Sequence, residues 1–293
     1  MFSKLQNLLP QHALSRFAGF MANCRVRWIK NRLIQYFVWR YPVNLQEAIN
    51  PDPYQYENFN DFFTRALKPE VRPISKALNV LVSPADGEIS QLGPIENGRI
   101  IQAKKHHFSV QDLLGGDPKQ ALSFLQGSFM TVYLAPKDYH RVHMPLDGEV
   151  TDMIYIPGQL FSVNHKTTDK ISNLFARNER VVVFFNTSVG RVAMVLVGAM
   201  IVGSIETVWA GTITGSRKQQ DLNLGERERL SIQKWHYDIP IHYRRGEEMG
   251  RFKLGSTVIV LFEENKVLWD SGLTSTSQVR LGQRLGELKP GQS

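Results

Sequence analysis

Thiols are nearly absent from this chain. Its one cysteine, Cys24, has no intramolecular partner, so neither a disulfide framework nor a Cys-x-x-Cys metal or redox site can be built, which fits a reducing compartment. Long apolar runs are lacking too. The longest stretch without a charge, residues 120–136, is 17 residues and holds Gly127 and Pro136, and the strongly apolar Val192–Ile205 is 14 and is broken by Gly198 and Gly203, whereas a membrane-spanning helix needs about 20. No low-complexity tract occurs in the 293 residues, and 42% hydrophobic with 21% charged is the balance of a folded chain long enough for one large domain or two modest ones. There is no Gly-x-Ser-x-Gly elbow and no His-Glu-x-x-His pair, so two familiar hydrolase signatures are missing.

The N-terminus is poor in acid. Residues 1–50 carry Lys4, Arg16, Arg25, Arg27, Lys30, Arg32 and Arg40 against Glu47 alone, which is +6 of the net +8. The remaining chain is almost balanced, so the basic surface belongs to an N-terminal segment and not to a nucleic-acid channel through the body. Within that segment Val26, Ile29, Leu33 and Phe37 recur at steps of three and four, with Trp28 and Trp39 nearby, and predict an amphipathic helix. Three readings suit it: a helix lying in a membrane interface, a helix packing its stripe on the body, or an arginine-rich transit peptide.

Residues 44–67 continue in helical style, with Asn44 and Asn58 as N-caps, until Lys68-Pro69. Beyond residue 80 the character is β: Val80–Val82, Phe129–Leu134, Val150–Ile156, Val181–Phe185, Arg191–Val202 and Ser256–Phe262 are alternating or continuous β-branched runs. Pro84-Ala85-Asp86-Gly87-Glu88-Ile89 returns as Pro145-Leu146-Asp147-Gly148-Glu149-Val150, which suggests a duplicated β motif with Asp-Gly hairpin turns. The expected class is α+β, a mostly antiparallel β body over residues 68–293 with an N-terminal helical segment over residues 1–67, for which membrane-binding is one of the readings above.

Two histidines precede the second turn, in Asp138-Tyr139-His140-Arg141-Val142-His143. His-x-x-His admits a zinc site completed by a carboxylate, and equally two interior imidazoles. Gly255-Ser256 stands at the threshold of an apolar strand, where a plain turn is the local alternative to a nucleophile. Joined with Asp86 and His143, Ser256 makes an Asp-His-Ser set, in which an imidazole takes the hydroxyl proton and a carboxylate orients the imidazole.

Several blocks in order carry a resemblance. They are Ser83-Pro84-Ala85-Asp86-Gly87, Tyr139-His140-Arg141-Val142-His143-Met144-Pro145, Pro157-Gly158-Gln159-Leu160-Phe161-Ser162-Val163-Asn164, Phe175-Ala176-Arg177-Asn178-Glu179-Arg180 and Leu254-Gly255-Ser256-Thr257. From about residue 59 to 285 the chain resembles the bacterial, pyruvoyl-dependent phosphatidylserine decarboxylases. Lys104-Lys105-His106-His107-Phe108-Ser109 departs from the family pattern, which more often has glycine after the first lysine and tyrosine before the serine.

The resemblance implies a proenzyme that cuts itself between Gly255 and Ser256 into a β chain, 1–255, and an α chain, 256–293. Ser256, activated by His143 with Asp86 behind it, becomes a covalent pyruvoyl group, with no pyridoxal phosphate and no metal. That group forms a Schiff base with phosphatidylserine, which leaves as phosphatidylethanolamine, and His140 is the proton donor in decarboxylation. It implies peripheral attachment to anionic lipid on the cytoplasmic face of a bacterial inner membrane, and leaves no room before Ser83 for an organellar extension. A homodimer of processed protomers is the expected assembly. The rival readings are a zinc-dependent hydrolase using His140 and His143, and a non-catalytic lipid-binding β protein.

Overall fold

Both faces of a sheet must be covered before its strands can be apolar throughout, and that is the condition of the continuous runs in this sequence. The computed structural model describes residues 11–103, 106–199, 204–213, 231–253 and 256–289. Its strands are β1 (Val80–Val82), β2 (Gly87–Pro94), β3 (Arg99–Ala103), β4 (His106–Ser109), β5 (Ser128–Leu134), β6 (Arg141–His143), β7 (Gly148–Ile156), β8 (Arg180–Thr187), β9 (Gly190–Gly198), β10 (Ser204–Thr207), β11 (Gly211–Thr212), β12 (Gln233–Tyr243), β13 (Glu248–Lys253), β14 (Ser256–Phe262), β15 (Val267–Trp269), β16 (Gln278–Val279) and β17 (Arg284–Leu288).

An eight-stranded sheet in the order β12-β7-β8-β9-β14-β5-β2-β16 forms the centre, and its ladders are antiparallel. One face packs Val132, Leu134, Val258 and Leu196 against Val142, Phe252 and Ile205 of a smaller sheet, β11-β10-β13-β6. The other packs Ile259, Val195 and Val182 against Phe124, Phe161, Leu174 and Phe175 from short helices and loops. Each fully buried side chain of this kind contributes about 1.5–3 kcal/mol. Strand β14 lies between β5 and β9 and is buried along its whole length.

The two Pro-x-Asp-Gly-Glu copies open β2 and β7, which stand second from opposite ends of the large sheet. Neither forms the expected Asp-Gly hairpin, since no residue of either pair has positive φ. Close packing explains the glycines instead: a Cβ on Gly87 would lie 2.3 Å from the Tyr133 carbonyl oxygen, and one on Gly148 would lie 3.1 Å from Thr187 Cγ2.

The N-terminal helices are α1 (Gln11–Ala22), α2 (Arg27–Arg40) and α3 (Phe59–Phe63), the last capped by the Asn58 carboxamide, which accepts from Asp61 N at 2.9 Å. Residues 44–67 hold only this helix and one 3-10 turn, Leu45–Glu47, capped by Asn44. Half of the predicted stripe turns inward: Leu33 and Phe37, with Ile34 and Val38, pack on Phe59, Phe62 and Phe63, while Val26 is 48% exposed. The outward stripe of α2 is Trp28, Arg32, Tyr36 and Trp39, with Trp28 and Trp39 72% and 78% exposed. No helix among the described residues is long and apolar enough to cross a membrane.

Candidate active site

Ser256 is the first described residue after β13 and the head of β14, paired with Leu134 on one side and Gly198 on the other. It is fully buried, and its hydroxyl has no hydrogen-bond partner among the described residues. Gly255 and Leu254 lie outside the described residues, as do Lys104 and Lys105. The Asn178 carboxamide fixes the strand beside Ser256. It donates to the carbonyls of Gly198 at 2.8 Å and Phe161 at 2.9 Å, and accepts from Phe161 N at 3.1 Å. Two of the sequence blocks, 157–164 and 175–180, are thereby joined to the serine's neighbour.

His140 leaves a tight turn that follows β5, in which the Asp138 carboxylate accepts from Ala135 N at 2.7 Å. Its carbonyl accepts from Phe252 N, which ties it to the strand that runs toward residue 256. The ring is fully buried and lies on Phe63, with centroids 4.0 Å apart. Neither ring nitrogen closes a hydrogen bond of ordinary geometry, although the carbonyls of Ala135 and Pro136 lie near. Burial first, and the Arg65 charge second, push its pKa down to about 3, so the ring is neutral at physiological pH.

His143 is placed differently. Its Nδ1 donates to the Gly246 carbonyl at 2.9 Å, which leaves Nε2 of the neutral ring to accept from the Tyr139 hydroxyl at 3.1 Å. Its backbone N–H donates to the Pro84 carbonyl at 2.8 Å, setting it beside the Asp86 turn. Burial lowers its pKa, and the Gly246 bond, Glu248 and Asp86 oppose that fall. Asp86 is nearly buried and is held elsewhere: Leu281 N donates to it at 2.8 Å, Arg72 Nε at 2.9 Å, and Arg72 Nη2 also. Arg72 reaches Glu47 at 2.7 Å as well, and its own pKa is raised. The structure thus gathers Asp86, His143 and His140 around one seam, but no side-chain hydrogen bond joins Asp86 to His143 or His143 to Ser256.

Phe63, Arg65 and Arg72 belong to this seam and carry no role in the sequence reading, and neither do Tyr139 and Asn178, which it quotes within motifs. The charge on Arg72 is 25 residues from Glu47 and 14 from Asp86, so no local pattern marks it. Among the described residues no group of three or more His, Cys, Asp or Glu side chains is placed to hold a metal.

Buried polar groups in native proteins are almost always hydrogen-bonded, so a buried orphan calls for a functional or structural explanation. Ser256 Oγ, both nitrogens of His140, and Nε and Nη1 of Arg65 are such orphans. With the neutral imidazoles and the enclosed strand, they mark the head of β14 and the seam around Asp86, His140 and His143 as the candidate active site of an α+β protein.

Comparison with known proteins gives the family. The model of phosphatidylserine decarboxylases matches residues 59–287, and a second model, described as PSD, matches residues 1–42. A phosphatidylserine decarboxylase proenzyme of Pseudomonas putida (strain GB-1) is 54% identical over 286 residues, covering 96% of each chain. One of Azotobacter vinelandii is 51% identical with the same coverage, and one of Pseudomonas fluorescens (strain Pf0-1) is 53% identical, also with 96% of both chains. The chain belongs to the phosphatidylserine decarboxylase family, and so to the carboxy-lyases.

Proposed function

We propose that this chain is made as a precursor, cuts itself between Gly255 and Ser256, and then decarboxylates phosphatidylserine to phosphatidylethanolamine at the new α-chain terminus. The observation that carries the reading is Ser256 itself: a buried hydroxyl without a hydrogen-bond partner among the described residues, at the head of a core strand, in a chain whose relatives are named proenzymes.

In this reading Ser256 Oγ attacks the Gly255 carbonyl carbon, and the C–N bond gives way to an ester. His143 takes the hydroxyl proton at Nε2, the nitrogen left basic by the Gly246 contact, and its lowered pKa keeps that atom unprotonated. Tyr139 must yield that lone pair first. Asp86 supports the imidazolium by its charge, while Arg72 keeps the carboxylate in place. Loss of the Ser256 α-proton then expels the Gly255 carboxylate, and the resulting dehydroalanine takes up water and releases ammonia. Serine suits this because it has both the hydroxyl and a route to pyruvate.

The pyruvoyl group so made supplies an electron sink, the part that pyridoxal phosphate plays in other decarboxylases. His140 gives the proton that replaces CO2. Being neutral, it must gain that proton first; a substrate carboxylate nearby raises its pKa, and loss of CO2 lowers it again. The N-terminal segment docks the enzyme on the cytoplasmic face of a bacterial inner membrane. Its support is the outward Trp28, Arg32, Tyr36 and Trp39 stripe and the +6 charge of residues 1–50, each basic residue near an anionic leaflet adding about 1 kcal/mol.

The test is release of labelled CO2 from carboxyl-labelled phosphatidylserine, with and without a chelator or a carbonyl reagent. The reading expects the carbonyl reagent to abolish release and the chelator to leave it unchanged. Release that survives the carbonyl reagent, or is lost with chelator and restored by zinc, would overturn the pyruvoyl reading, and no CO2 with zinc-dependent ester cleavage would favour the metal hydrolase.

A further inference from the structure

A pocket of about 310 Å³ opens where the N-terminal segment meets the body, walled by Arg65, Arg72, Asp86, Lys137, Tyr139 and Arg280 among others. Its acids are already engaged. Arg72 holds Asp86 and Glu47, and Asp138 accepts from Ala135 N. Two of its cations are not. Lys137 is exposed and makes no ion pair among the described residues. Arg65 is only 4% exposed, yet just Nη2 finds partners, the carbonyls of Lys137 at 3.1 Å and Asp138 at 3.4 Å. Nε and Nη1 are buried without a hydrogen-bond partner among the described residues, and the guanidinium carbon lies 5.9 Å from the centre of the Phe62 ring.

A buried guanidinium with vacant donors is costly unless an anion fills them, and burial already pulls the Arg65 pKa down. We propose that this pocket is an anion subsite in which Arg65 and Lys137 hold the phosphodiester of the phospholipid headgroup. The inference rests on the decarboxylase reading, and two features select a phosphodiester over a carboxylate. First, the substrate carboxylate departs as CO2 and must sit at the reacting centre, which leaves the phosphodiester as the other anion to be held. Second, Pro42 and Asn44, which follow α2, line the pocket, so the N-terminal segment proposed to meet the bilayer reaches it. Guanidinium and ammonium together suit a phosphate oxygen pair, the first by fixed donors and the second as a mobile charge.

The experiment measures KM of the wild-type chain, Lys137→Glu and Arg65→Lys for short-chain phosphatidylserine dispersed as monomers and for the long-chain lipid in vesicles. Calorimetry of short-chain phosphatidylethanolamine binding gives a readout that needs no turnover. The proposal expects both variants to cut themselves completely, KM to rise about tenfold or more with either form of substrate, and the phosphatidylethanolamine Kd to weaken in step. A rise confined to vesicles would place the charges at the membrane surface and overturn the subsite; so would an unchanged Kd. Absence of CO2 release from the wild-type chain would count against the decarboxylase reading, while the calorimetry still decides whether the pocket binds a phosphodiester.

Discussion

The imidazole of His140 lies flat on the ring of Phe63, 4.0 Å between centroids and 22° from parallel. Phe63 comes from α3 and His140 from the turn after β5, so the helical segment forms one wall of the site. Phe63→Leu should therefore leave a chain that still cuts itself but releases CO2 at least about tenfold more slowly, because the ring that fixes His140 is gone. A gel and a CO2 assay check it. Undiminished turnover would mean that the stack serves only stability.

Acid should weaken the fold through the same histidine. Its pKa is about 3 when folded and about 6.5 when unfolded, so between those values only the unfolded chain binds the proton. Stability from this group is complete above pH 6.5 and falls by about 1.4 kcal/mol per unit as the pH drops toward 3. Denaturant midpoints measured from pH 7 to pH 4 should show that slope, reduced in His140→Asn. His143, also lowered, adds a contribution of the same sign.

Arg72 is expected to matter for maturation although it touches neither serine nor imidazole. Removing it strands the buried Asp86 carboxylate, at a cost of about 3–5 kcal/mol. Arg72→Ala should accumulate uncut precursor and unfold at lower denaturant, whereas Arg72→Lys should recover part of both. Normal maturation of a destabilised Arg72→Ala chain would detach Asp86 from self-cleavage.

How much of this was legible in the sequence depends on how far apart the interacting residues lie. Val181–Phe185 and Ser256–Phe262 announce buried strands because each run contains its own signal. The α2 helix was equally legible, but periodicity reveals an apolar face without saying what covers it. The Val26–Phe37 stripe suited a membrane face or packing on the body alike, and Leu33 and Phe37 meet Phe59, Phe62 and Phe63. Asp86-Gly87 looked like a hairpin because local chemistry favours one; the close approach of Tyr133, a contact across strands, decided otherwise. His140, His143 and Ser256 stood out by residue type, while Arg65, whose partners lie 72 and 73 residues on, had nothing nearby to betray it.

The outward face of α2 gives a test of docking. Trp28→Ala combined with Trp39→Ala and Arg32→Glu should reduce sedimentation with anionic vesicles by about tenfold or more while self-cleavage proceeds. Vesicle binding unaffected by the triple change would put the lipid contact on another surface.

The proposed division of labour between the histidines is open to direct test by substitution. His143→Ala and Asp86→Ala should accumulate the uncut 293-residue chain, because Ser256 then lacks the base or its supporting charge. His140→Ala should mature but turn over about 10²–10⁴ times more slowly, as expected for a missing proton donor. If His140→Ala stays uncut and His143→Ala matures, the two roles are exchanged.

Intact-mass analysis of the purified wild-type protein bears most directly on the central claim. The account predicts two chains, residues 1–255 and 256–293, the smaller beginning with a pyruvoyl group that blocks Edman degradation and lacks the mass of an amino-terminal serine. An active enzyme that consists of one uncut chain, with Ser256 intact, would contradict it.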